Sequence, residues 1–134
     1  MIVVLDTNVL MSGLFWAGPC YDILTAWRDG RFRLLLTTAI LDEYIRVAAR
    51  LSREFPGVDA AGFIGLLVCE AGFCDAVALP ERVCSDPDDD KFIECALAAG
   101  GMVISGDKHL LAVSGYRGVG VLTPRAFVDR YLSE

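Results

Sequence analysis

Two aspartates stand where apolar runs end. Asp6 directly follows the β-branched run Ile2–Leu5, and Asp107 follows Met102–Ser105 after one glycine. Two further acids can reach the same place from helices. Asp89 opens a helical stretch whose least polar stripe is Phe92, Ile93, Ala96, Leu97 and Gly100. At about 100° per residue, Asp89 falls near the centre of that stripe, and Asp90 lies to its side. Glu43 borders the apolar side (Ile40, Tyr44, Val47, Leu51) of a longer helix and shares a stripe with Arg46 and Arg50. Taken singly, these acids have plain structural readings. An acid at a helix start offsets the helix dipole, and Glu43 with Arg46 is a surface ion pair of about 0.3–0.5 kcal/mol. Taken together they make a different demand. Two carboxylates ~4 Å apart repel by about 4 kcal/mol at an effective dielectric near 20. A fold that gathers four must neutralise them with protons or a cation. Oxygen donors without a His or Cys cluster select a hard cation, Mg²⁺ or Mn²⁺. The chemistry such a site performs is metal-assisted phosphodiester hydrolysis.

The elements that must position these acids alternate. Ile2–Leu5 reads as a buried strand. Gly18-Pro19 introduces a helix over about 20–28, with Ile23, Leu24 and Trp27 at helical spacing. A second strand is expected over 32–36, and Thr37 and Thr38 can cap a long helix over 39–54. Asp59 caps a helix over about 60–71 with Gly72 as its stop, and a weak strand follows over 75–78. A loop leads to a helix over 89–99, stopped by Gly100-Gly101. Strands over 102–105 and 119–122 come next, and Thr123-Pro124 opens the last helix. Strands alternating with helices imply a three-layer α/β/α sandwich around a central, mainly parallel sheet, in a single domain over residues 1–134. The crevice of such a sheet lies beyond the carboxyl ends of its strands, where Asp6 and Asp107 fall.

Composition bounds the remaining choices. The chain has 134 residues, 54% of them hydrophobic, which excludes intrinsic disorder. No apolar run approaches the ~18–20 residues of a membrane span, and an acid at position 6 with no basic stretch before it is unlike a secretory leader. Five cysteines in no paired spacing read as reduced, mostly buried thiols, which suits a cytoplasmic protein. Twelve basic residues against eighteen acidic give a net charge of −6, against a non-specific nucleic-acid coat. Half of the cations, however, lie between Arg28 and Arg53, and Asp86, Asp88, Asp89 and Asp90 crowd into five positions. Such a chain can bind a polyanion if a metal bridges its acids to phosphate.

Asp6-Thr7-Asn8 after the first strand, a Glu on a following helix, Asp86-Pro87-Asp88-Asp89-Asp90 opening a later one, and Ser105-Gly106-Asp107-Lys108 after the next strand resemble the PIN domain, most of all its VapC-like ribonucleases. The resemblance covers nearly the whole chain. It implies a Mg²⁺- or Mn²⁺-dependent endoribonuclease acting on RNA, a homodimer, and the toxin of a toxin–antitoxin pair held by a small antitoxin protein. It places the catalytic and metal-site role on Asp6, Glu43, Asp89 and Asp107, and matches Asn8 and Ser105 to polar accessories of the pocket. Asp6, Asp89 and Asp107 would hold one metal ion, and Glu43 a second ion or the attacking water. Arg46 and Arg50 would hold flanking phosphates. His109 stands where relatives often carry an acid, so the single His of the chain is expected in a surface turn.

Three other readings compete. A haloacid-dehalogenase-type phosphotransferase needs a second acid two residues after Asp6, where Asn8 stands. A response-regulator receiver needs a phosphoacceptor Asp where Thr37-Thr38 follow the second strand. A non-catalytic binding module, or a housekeeping nuclease without a toxin role, remains open. The aromatics Phe15, Trp16 and Tyr21 could serve a partner surface, whereas Phe127 is expected in the core.

Overall fold

The computed structural model describes residues 1–133. Five parallel strands form one sheet in the order β3-β2-β1-β4-β5, with β1 at Ile2–Leu5, β2 at Arg33–Leu36, β3 at Gly72–Phe73, β4 at Met102–Ile104 and β5 at Val121–Leu122. β1 is central: Val3 stands opposite Leu34 on one side and Met102 on the other. Val3, Val4 and Leu5 are fully buried, as expected of a parallel strand covered on both faces.

Seven α-helices connect and flank the strands: α1 (Thr7–Phe15), α2 (Pro19–Arg28), α3 (Thr38–Glu54), α4 (Ala60–Glu70), α5 (Asp90–Ala99), α6 (Lys108–Leu111) and α7 (Pro124–Phe127). The chain winds from β1 to β3 in one direction, then returns past β1 to β4 and β5 in the other. Right-handed crossovers in opposite directions put their helices on opposite faces, giving the three-layer α/β/α architecture. The winding reverses between β1 and β4, and that reversal point is where an open α/β sheet carries its crevice.

Local chemistry accounts for the helix boundaries. The Thr37 side chain accepts a hydrogen bond from the Ile40 N–H at 3.3 Å, and the Asp59 carboxylate accepts one from Gly62 at 2.9 Å. Thr123 caps α7 in the same way, with Pro124 in the first turn. α5 packs across β1, β2 and β4. Its buried residues are Asp90, Phe92, Ile93, Cys95 and Ala96, so Cys95 takes the place that the pattern gave to Leu97. Phe127 is fully buried and meets Phe32 edge-on at 5.4 Å.

Three expectations are corrected. α1 was not anticipated, because Thr7, Val9, Leu10, Met11 and Gly13 are all buried and leave only Asn8 and Ser12 as a narrow polar face, too little to mark a helical period. Gly13 is required there: a Cβ would come within 2.7 Å of the Cys20 carbonyl oxygen of α2. The third strand lies earlier than 75–78. Gly72, expected only to stop α4, already pairs with Leu35, and Cys74 N–H continues the ladder to Leu36 O at 3.1 Å. Of the cysteines only Cys84 and Cys95 are buried; Cys69 is exposed, because α4 buries Ala60, Ile64 and Leu67 on another side. Among the described residues, no helix is long and apolar enough to cross a membrane.

Candidate active site

The carboxyl end of β1 organises the crevice. Asp6 N–H donates to Ile104 O at 3.0 Å, locking the ends of β1 and β4 together. Leu5 O then accepts the buried Tyr44 hydroxyl, and Thr7 donates its hydroxyl to Glu43. Consecutive residues of α3 are thus tied to the segment on either side of Asp6. These two contacts explain why Glu43 reaches the strand end although it sits at the edge of the α3 apolar stripe.

Asp6 is 6% exposed. Ser105, fully buried after β4, donates its hydroxyl to Asp6 Oδ2 at 2.7 Å and accepts the Asp107 N–H at 2.9 Å. One hydroxyl therefore links the two strand-end acids. Asp107 is half-buried, and its Oδ1 accepts the His109 N–H at 2.8 Å. His109 itself is exposed, but it lies on the short helix α6 and not in the turn that the sequence implied.

Asp89 sits half-buried at the entrance to α5, and its side chain makes no capping bond to the helix. Asp86 is the residue that accepts locally, from Asp88 N–H at 3.0 Å. Asp90 is turned to different work. It lies off the sheet-facing stripe of α5, yet it is buried because its carboxylate accepts Val83 N–H at 3.1 Å and Cys84 N–H at 2.7 Å. It pins the preceding loop, so the two adjacent aspartates divide into one free and one committed carboxylate.

Electrostatics follow this division. Burial raises Asp6 above the usual carboxylate range; the Ser105 hydrogen bond opposes the shift, and the charges of Asp107 and Glu43 add to it. Asp89 is pushed up to about 6, first by burial and then by Asp6, Asp86 and Asp107, with Lys91 pulling the other way. Burial alone would raise Asp90, but hydrogen bonds from Cys84 and Val83 outweigh it and hold that carboxyl low. Burial, then the Asp6 charge, keeps the Tyr44 phenol neutral well above its ordinary range.

Glu43 is held most firmly. Besides Thr7, it receives the Lys91 ammonium at 2.7 Å on Oε1, while Arg46 stands at 3.7 Å with its side chain 71% exposed. Arg50 is exposed one turn further along α3, and Asn8 is exposed at the second residue of α1. Neither belongs to the hydrogen-bonded group around Asp6. Thr7 and Lys91 were not singled out from the sequence. A signal for Lys91 did exist: it is one of only two lysines beside ten arginines, and it directly follows the run of aspartates.

The structure thus brings Asp6, Glu43, Asp89 and Asp107 to one end of the sheet, near enough that the charges of Asp107 and Glu43 act on Asp6 and those of Asp6 and Asp107 act on Asp89. Among the described residues, no three His, Cys, Asp or Glu side chains form a ready cage for a metal ion. The donor set still suits a hard divalent cation. It is all oxygen, and Asp6 and Asp89 are disfavoured as bare anions; Mg²⁺ retains several waters and needs only one or two direct carboxylates. A cavity of about 630 Å³ lies elsewhere, between Trp27, Arg28, Arg33 and Glu70, at the amino end of β2 and away from these acids.

A family model for the PIN domain matches residues 2–109, which takes in all four acids. The chain belongs to the PIN-domain family. PIN domains are generally nucleases, and their nucleases generally use divalent metal ions. Among solved structures, the PIN-like chain is similar to one titled "Crystal structure of PAE2754 from Pyrobaculum aerophilum". The two match over 100% of both chains with a TM-score of 0.63 at 15% identity, a likeness of fold. A search of curated proteins gives no match.

Proposed function

We propose that this PIN domain is a Mg²⁺- or Mn²⁺-dependent endoribonuclease whose working residues are Asp6, Asp89, Asp107 and Glu43. The observation that carries the reading is the group of acids at the β1–β4 reversal point, two of them raised by burial and mutual repulsion. Asp6, Asp89 and Asp107 would hold the cation. A divalent ion bound there supplies Lewis-acid stabilisation of phosphoryl charge and activates water near neutral pH. Ser105 fixes the rotamer of Asp6 and, through the same oxygen, the backbone of Asp107. Thr7 and Lys91 fix the carboxylate of Glu43 while leaving lone pairs on both oxygens, so it can still accept a proton from an attacking water. Arg46 and Arg50, exposed along α3 beyond Glu43, are placed to hold flanking phosphates of a single strand.

RNA as the substrate, a cytoplasmic location, a homodimer and a small antitoxin partner are further parts of this proposal, supported by the family likeness of the motifs. The deciding experiment is cleavage of single-stranded RNA by the purified protein with Mg²⁺ or Mn²⁺, with EDTA, and with Asp6→Asn. Cleavage that needs the metal and is lost in the variant is expected. Cleavage that persists in EDTA would overturn the mechanism. A small DNA-binding protein encoded beside this gene, and its inhibition of the cleavage, would test the toxin role.

A further inference from the structure

The lysine that holds Glu43 does more than orient it. Lys91 rises from the first turn of α5 with its side chain only 11% exposed. Its ammonium has three oxygens around it: Glu43 Oε1 at 2.7 Å, Asp88 O at 2.9 Å and Asp88 Oδ2 at 3.1 Å. The first two are hydrogen bonds, and the third is an ion-pair contact with the Asp88 carboxylate. A surface lysine is a solvated, mobile charge; this one is a cation enclosed by oxygens.

We propose that Lys91 is a built-in counter-ion of the acid pocket, holding on Glu43 the place that a second divalent ion would otherwise take. The pocket then binds one metal ion, through the Asp6, Asp89 and Asp107 group, and Glu43 is a positioned carboxylate instead of a ligand. The proposal rests on the metal-dependent reading above and states its stoichiometry.

The geometry supports it from both partners. Glu43 gives Oε2 to Thr7 and Oε1 to Lys91, with its side chain 14% exposed. A divalent ion at Oε1 would have to displace the ammonium, leaving a half-buried lysine beside a dication. Two-metal sites hold their ions about 3.5–4 Å apart on shared carboxylates, but the ammonium 2.7 Å from Glu43 Oε1 puts a positive charge where the second ion would sit. The contacts with Thr7 on α1 and Lys91 on α5 fix Glu43 between two helices, so Lys91 acts on the chemistry through Glu43 and is a positioning residue.

Manganese binding measures this directly, by calorimetry and by the loss of the free Mn²⁺ resonance signal, on the intact chain without substrate. The wild type should take up one Mn²⁺. Lys91→Met, which keeps the stem and removes the charge, should gain a second site, tighter by about tenfold or more than any second event in the wild type. Lys91→Arg should restore a single site. Glu43→Gln, which does not depend on Lys91→Met folding, should still bind one Mn²⁺ within about threefold of the wild-type affinity. Thermal melts establish which variants are folded. Two sites in the wild type, one unchanged site in folded Lys91→Met, or a loss of about tenfold or more in Glu43→Gln would each overturn the proposal. No uptake by any form would overturn the metal-dependent reading itself, and the stoichiometry with it.

Discussion

The division of labour between Asp89 and Asp90 can be separated by two substitutions. Asp90→Ala removes a buried carboxylate that accepts two backbone N–H groups, at 3.1 Å from Val83 and 2.7 Å from Cys84. Hydrogen bonds to a charged group contribute about 1.5–3 kcal/mol each. Val83 is half-buried and can recover water, whereas Cys84 is buried and cannot, so the lower end of the sum applies, about 3 kcal/mol. For 134 residues at ~2.1 cal/mol/K each, that lowers the melting temperature by about 10 °C. Asp89→Asn should act in the opposite sense. It deletes a charge repelled by Asp6, Asp86 and Asp107 and breaks no capping bond. Because the site is partly open to solvent, the gain is discounted to at most about 1 kcal/mol, a rise of a few degrees. The assay is a thermal melt by circular dichroism in EDTA at pH 7.5, paired with RNA cleavage well below the transition. Asp90→Ala should melt low yet cleave; Asp89→Asn should melt at or above wild type and fail to cleave. If Asp89→Asn melts about 10 °C low while Asp90→Ala is unchanged, the assignment of the two acids is reversed.

Stability of the metal-free protein should depend on pH through the raised acids. Their folded values exceed the unfolded ones, so protonation favours the fold: the melting temperature should climb as pH falls through about 6, the Asp89 value, and level off near the ordinary carboxylate range of about 4. Millimolar Mn²⁺ should raise the melting temperature at pH 7.5 and flatten that slope, since it binds only the folded, ionised pocket; a flat profile without metal, or no Mn²⁺ shift, would contradict the electrostatic account. Ser105→Ala strips Asp6 of its donor and Asp107 N–H of its acceptor, and should cost about 1–3 kcal/mol with a loss of about tenfold or more in Mn²⁺ affinity, measured by melts and calorimetry. Tyr44→Phe leaves Leu5 O without its hydroxyl donor and should lower stability by about 1–2 kcal/mol; an unaltered denaturation midpoint would mean that water replaces the phenol.

What could be read beforehand, and what could not, follows the reach of each signal. An uninterrupted apolar strand ending in an acid is local, so Asp6 and Asp107 were visible as crevice residues. That Asp89 and Asp90 face different ways was visible too, because orientation about a helix axis follows from residue spacing; that Asp90 is the more buried of the two was not, because its partners Val83 and Cys84 lie in the preceding loop. α1 was hidden because burial on most sides blurs its period, and β3 because two residues are too few to show one.

Glu43 shows where local reasoning stops. Its helical neighbour Arg46 was the natural partner, and the two do stand 3.7 Å apart, but Arg46 is largely solvated and a pair of that kind contributes little. The partner that encloses Glu43 is 48 residues away on α5, at 2.7 Å and shielded from water. Spacing along α3 cannot report it, because it depends on how α3 and α5 meet over the sheet. The packing of α3 on α1 gives Glu43 its Thr7 contact, so the seating of α3 among its neighbours decides whether this acid is a surface charge or a fixed carboxylate. Breaking that arrangement from either helix should therefore release Glu43 without disturbing the Asp6–Ser105–Asp107 chain, which is built on the ends of β1 and β4 alone.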